Sequence, residues 1–167
     1  MIKSKKGYQG FQSRMVIEES ILIHAKMEKV WETFTNLTCW KEWNSVMEDI
    51  CSKEKRLSSG GKISCCFRPL VFPVKATIRI EEVKPYEHIV WAAKKKGFSA
   101  RNVFTFQSND KGIIVTSRET FSGLIVTFFS FLLPKNRMRT LIQTFLNDLK
   151  TASENQSRKK IFNSLQG

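Results

Sequence analysis

The chain has 167 residues, 41% of them apolar and 26% charged, enough for one domain with a real core and with no compositional shift to mark a second. Its formal charge of +13 is uneven: residues 1–87 carry 15 basic and 11 acidic side chains, residues 88–167 carry 13 and 4. Four cysteines without a CxxC pair and only two histidines argue against a metal site, and no phosphate loop or dinucleotide fingerprint calls for a cofactor.

Residues 1–13 are basic and polar without an apolar stretch, so they read as a flexible tail and not as a signal peptide. Residues 15–23 read as a strand. Three of the four tryptophans, Trp31, Trp40 and Trp43, follow it closely. Trp31 and Phe34 are spaced to share one face of a short helix; Trp40 and Trp43 repeat that spacing behind Thr38, a residue suited to cap a second. Short helices that offer such large aromatics need a concave surface to receive them. A sheet wrapped around an interior supplies one.

Residues 46–53 form the next strand candidate, and Ser58-Ser59-Gly60-Gly61 signals a turn into an extended stretch over 63–67. Pro69 and Pro73 bracket a loop. Ala76, Ile78 and Ile80 alternate with Thr77, Arg79 and Glu81, as a half-buried strand requires. Pro85-Tyr86-Glu87 turns the chain into a strand over 89–93. Residues 102–106 and 113–117 flank Ser108-Asn109-Asp110-Lys111-Gly112, a hairpin signal. Residues 124–133 are nearly all apolar but too few to span a bilayer. They read as packing over the sheet edge; covering a cavity mouth, or touching an anionic membrane with help from Lys135, Arg137 and Arg139, are the alternatives. Met138, Leu141, Ile142, Phe145, Leu149 and Ala152 follow helical spacing, and Pro134 sits at the first turn, which gives a helix over about 135–154. Residues 156–167 read as a polar tail. The class is α+β: a strand, two short helices, about six consecutive strands and a long amphipathic helix.

Four stretches carry a family resemblance that covers residues from about 14 to 154. Ile21-Leu22-Ile23-His24-Ala25 before Glu28-Lys29-Val30-Trp31 looks like an opening of apolar strand, small loop and x-x-Val-Trp. Trp40-Lys41-Glu42-Trp43-Asn44 is similar to a Trp-x-x-Trp-Asn helix end. Glu82-Val83-Lys84-Pro85 through Ile89-Val90-Trp91 matches a hairpin of valine, proline, then two apolar residues and Trp. Glu119-Thr120-Phe121-Ser122-Gly123 looks like a Glu-x-Phe-x-Gly strand end. In this order they resemble the START-like, or SRPBCC, superfamily, above all its members described as polyketide cyclase/dehydrase and lipid-transport-like. The resemblance implies a helix-grip domain over residues 14–155, in which a curved antiparallel β-sheet wraps a long C-terminal helix around a ligand cavity. Two positions depart from the pattern. Lys26 stands where the family usually has proline, and Asn102 stands where many members have histidine, which removes an ionisable group from the expected cavity wall.

With Asp110 near the hairpin tip, the register sets Phe104 across from Val115 and Asn102 across from Ser117. Phe106, Phe104 and Asn102 then share a face with Val115, Ser117, Glu119 and Phe121. The expected lining is Trp40, Trp43, Trp91, Asn102, Phe104, Ser117, Glu119 and Phe121: aromatic walls with a few polar groups. A carboxylate aimed into such a space has a raised pKa unless paired, and we read Glu119 as paired with Arg101 or Arg137. His24 and His88 lie at strand or loop edges with no triad spacing, so no catalytic residue is assigned. The cysteines read as buried reduced thiols of a cytoplasmic protein. Lys94-Lys95-Lys96 and Arg158-Lys159-Lys160 read as solvated clusters; lacking interleaved strand aromatics, they argue against nucleic acid. The expected function is binding or transport of a hydrophobic or amphipathic small molecule, such as a lipid, an isoprenoid or a polyketide-like ring. A cyclase or dehydratase working in the same cavity is the alternative, and a basic-surface interaction module a second.

Overall fold

The computed structural model describes residues 14–68, 73–124, 126 and 134–164, with side chains up to residue 155. Its strands are β1 (Arg14–Ile23), β2 (Glu48–Cys51), β3 (Lys62–Phe67), β4 (Val74–Lys84), β5 (His88–Lys95), β6 (Phe98–Asn109) and β7 (Gly112–Ser122). They form one curved sheet in the order β1-β7-β6-β5-β4-β3-β2, every pair antiparallel. Alternation drives this arrangement. In β7, Ile113, Val115, Ser117 and Phe121 are buried, whereas Arg118 between them is exposed.

Two sequence expectations shift. The strand expected over 46–53 shrinks to β2, because Asp49 takes a φ of 50° and the register to β3 slips between Glu48 and Cys51. The β6–β7 turn is Asp110-Lys111, so Phe104 pairs with Ser117 and Asn102 with Glu119, two positions from the register expected. An even slip leaves each side chain on its own face of the sheet. The Asn109 side chain accepts the Lys111 N–H at 2.9 Å and shapes the turn. Gly112 follows with a φ of 144°, and a Cβ there would stand 2.2 Å from the Ile23 carbonyl oxygen. Gly112→Ala is therefore expected to destabilise the fold by about 1–3 kcal/mol, read as a lowered urea midpoint.

The helices are α1 (Met27–Thr35), α2 (Trp40–Trp43) and α3 (Lys135–Ser164), with a 3-10 turn over Leu37–Cys39. Trp31 and Phe34 share the buried face of α1, as their spacing requires. Thr38 is not the cap of α2. Asn36 caps the 3-10 turn instead, accepting the Thr38 N–H at 3.2 Å, and Cys39 precedes α2 without a side-chain capping bond. Met138, Ile142, Phe145, Leu146 and Leu149 form the buried stripe of α3, with Leu141 half-buried. The helix runs on to Ser164, through much of the segment read as a polar tail. Polar ties hold it on β1: Arg139 and Gln143 both donate to Glu19, at 2.7 and 3.0 Å, and Lys150 Nζ donates to the Leu22 carbonyl at 2.6 Å.

Cys65 and Cys66 are buried and free, and burial pushes the Cys65 thiol up to about 11. Cys39 is only half-buried and Cys51 is exposed, so the expectation of four buried thiols fails at these two positions. Among the described residues, no helix is long and apolar enough to cross a membrane. The expected tail at 1–13 lies outside those residues. So does the apolar run at 124–133, apart from exposed Leu124 and half-buried Val126.

Candidate functional site

The inner face of the sheet divides into a filled half and an empty half. Phe34 of α1 anchors the filled half, its ring centre 4.9 Å from that of Phe104, 5.4 Å from Phe106, 5.7 Å from Phe145 and 5.8 Å from Trp91. Between these rings and the stacked Phe98–Phe121 pair, several inward positions are small: Ala76 on β4, Ala93 on β5 and Ala100 on β6, with Ser117 on β7 beside Phe104. Ala93 and Ala100 pair directly across neighbouring strands, so two short side chains sit side by side under α3. Such a patch cannot fill the space between sheet and helix at interior packing density. A pocket of about 450 Å³ results, roofed by Met138, Leu141, Ile142 and Phe145.

Six of the eight expected residues line it: Trp91, Asn102, Phe104, Ser117, Glu119 and Phe121. Trp40 and Trp43 do not. Trp40 is fully buried behind the wall; its Nε1 donates to the Phe34 carbonyl at 2.8 Å, and its ring meets Trp91 at 6.1 Å and Phe145 at 5.9 Å. Trp43 packs on Phe145 from the same side, its Nε1 buried with no hydrogen-bond partner among the described residues. Both tryptophans support the wall without reaching the space.

Asn102 and Ser117 form a closed pair. Asn102 Nδ2 donates to Ser117 Oγ at 2.9 Å, and the Ser117 hydroxyl donates back to Asn102 Oδ1 at 3.1 Å. Both are buried, so the pair fixes the amide orientation at the inner wall. Glu119 stands opposite Asn102 in the ladder. The expected arginine partner is absent: Arg101 points to the outer face and donates to Glu81 at 2.8 Å, and Arg137 is exposed. Among the described residues no cation pairs with Glu119. Glu119 is half-buried and lines the pocket. This burial alone pushes its carboxyl up to about 7.

The sequence reading missed Val46, Met47, Phe67, Val74, Ala93 and Phe98 of the wall, along with three rim lysines, Lys75, Lys94 and Lys95. Continuing the alternation back from Asn102 to Ala100 and Phe98 would have found the β6 members, and the small inward alanines were themselves the signal of empty space.

Comparison with known proteins bears on this geometry. No curated protein matches the chain. Among solved structures, a Staphylococcus aureus protein of unknown function superposes with a TM-score of 0.68 at 13% identity, over 89% of this chain and 98% of its own. Norcoclaurine synthase from Thalictrum flavum, in complex with dopamine and hydroxybenzaldehyde, gives 0.63 at 11% identity, over 88% and 94%. The di-domain ARO/CYC StfQ from the steffimycin biosynthetic pathway gives 0.68 at 12% identity, over 86% of this chain and 52% of that one. These likenesses show a shared fold, the START-like helix grip. The profile described as polyketide cyclase / dehydrase and lipid transport matches residues 14–154, nearly the whole described domain, and the chain belongs to that family.

Proposed function

We propose that the pocket reversibly holds a hydrophobic or amphipathic small molecule, of lipid, isoprenoid or polyketide-like type, without covalent chemistry. One observation carries this reading: a space of about 450 Å³ with mostly aromatic and aliphatic walls, in which Asn102, Ser117 and Glu119 lie close together on β6 and β7. That volume lies within the roughly 300–1,000 Å³ of small-molecule sites. Apolar walls favour uptake by about 25 cal/mol per Å² buried, and these polar residues orient one end of the guest. Four unpaired cysteines suit a reducing compartment and support a cytoplasmic setting.

Native mass spectrometry of freshly purified protein tests for a co-purified guest, and titration with the neutral probe N-phenyl-naphthylamine measures binding. Trp91→Ala and Phe104→Ala are expected to weaken the probe by roughly tenfold, and Glu119→Gln far less. Ala100→Phe, which fills space without cutting the core, is expected to abolish binding while the protein still melts cooperatively. Unchanged binding in a folded Ala100→Phe protein would end the pocket reading.

Glu119 favours a second reading. An unpaired carboxyl titrating near neutrality inside a pocket suits a general acid or base of a cyclase or dehydratase. That role is told apart by turnover: Glu119→Gln would leave affinity intact and remove turnover of a substrate.

A further inference from the structure

We infer that the guest is an elongated amphiphile carrying a terminal anion, seated with its charge at the pocket rim and its apolar body inside. The inference rests on the pocket being a binding site and deepens that reading by naming the ligand class.

Charge is segregated along the pocket. Lys75, Lys94 and Lys95 all border one end of it, where β4, β5 and β6 reach the Gly97 turn. The lysine run that reads as a mere solvated cluster in the sequence thus lies at the entrance of a cavity. Lys95 Nζ donates to the Lys75 carbonyl at 2.9 Å, which holds this ammonium over the rim and leaves it two further donors. Glu81, on the outer face, takes both Arg101 at 2.8 Å and Lys94 at 3.9 Å, which leaves Lys95, two positions along β5 from inward Ala93, as the ammonium on the pocket side. Exposed ammonium groups of this kind attract an anion without the desolvation cost that a buried pair carries.

The inner wall is hostile to the same charge. Glu119 is the only acid among the described lining residues, and an anion driven in beside it meets either a like charge or a bare apolar wall. The polar pair Asn102–Ser117 offers hydrogen bonds and no cation. An anionic group therefore has one favourable place, the rim, and a neutral oxygen function has another, the inner wall. Their separation follows from the register. Lys95 pairs with Phe98, and Asn102 lies four residues further along the same face of β6, or ~13 Å at ~3.3 Å per residue. The guest is thus about that long between its anion and any hydrogen-bonding group.

Four ten-carbon probes separate the contributions: decanoate, decyl phosphate, decanol and decylammonium, each displacing N-phenyl-naphthylamine at low salt. Both anions are expected to displace it at roughly tenfold lower concentration than decanol, with decylammonium weakest. Whichever anion ranks higher names the head group as carboxylate or phosphate. In the folded double variant Lys75→Gln, Lys95→Gln the anions are expected to fall to the level of decanol, while decanol is unchanged. If decanol or decylammonium matches the anions, the anionic class is wrong; if the anions keep their advantage in the double variant, the seat at the lysine rim is wrong; in both cases the pocket reading survives. If none of the four displaces the probe, the pocket reading falls as well.

Discussion

Replacing Phe34 with alanine is expected to cost the fold about 3–5 kcal/mol, the range for truncating a fully buried aromatic. Phe34 is 0% exposed, and its ring meets those of Trp40, Trp91, Phe104, Phe106 and Phe145, which come from α2, β5, β6 and α3. No other element can move in to fill the hole, because these same rings also brace the pocket wall from behind. Urea unfolding followed by tryptophan fluorescence reads the loss directly. A cost below about 1 kcal/mol would mean that the cluster relaxes freely and does not hold α1 against the sheet.

Glu119→Gln is expected to stabilise the protein at pH 8 and leave it nearly unchanged near pH 4. Burial holds the folded carboxyl at about 7, against an ordinary value of 4.5. Below the ordinary value both folded and unfolded chains are protonated, and the group costs nothing. As pH rises from there through the folded value, the unfolded chain releases its proton first, so stability is lost across that window. At about 1.36 kcal/mol per unit the full loss is about 3 kcal/mol, reduced where pocket water reaches the carboxyl. The glutamine variant lacks the titration and should gain about 2–3 kcal/mol over the parent at pH 8. Parallel stability profiles for the two proteins between pH 4 and 8 would show that Glu119 is not held in an apolar setting.

Much of this architecture was legible because alternation and helical spacing are direct consequences of one-sided burial. The faces of β6 and β7 came out correctly even though the hairpin register was two positions off, since a turn one residue later moves the pairing by an even step. Pairing Glu119 with Arg101 was a weaker inference than the same alternation allowed. Arg101 adjoins inward Asn102, so it had to point outward, where Glu81 meets it. Trp40 and Trp43 illustrate a different limit. Spacing tells which helix face is buried, but not whether the neighbour on that face is another ring or an empty space. The pocket itself depended on where small side chains from different strands coincide, and that depends on register across β4 to β7, which no single strand records.

The pairing of β1 with β7 has a consequence for how the chain is made. Strands β2 to β7 can assemble as neighbours in a meander, each closing a short loop onto the one before. The first strand has no such neighbour. Its partners run from Ile113 opposite Ile23 to Ser122 opposite Arg14, so during synthesis it leaves the ribosome long before they exist. Through that interval Ile17, Ile21 and Ile23 stand on an unpaired edge, the condition that invites association with other nascent chains. Two charges between them, Glu18 and Glu19, are the chain's guard over that edge until Arg118 and Arg139 arrive to take them up.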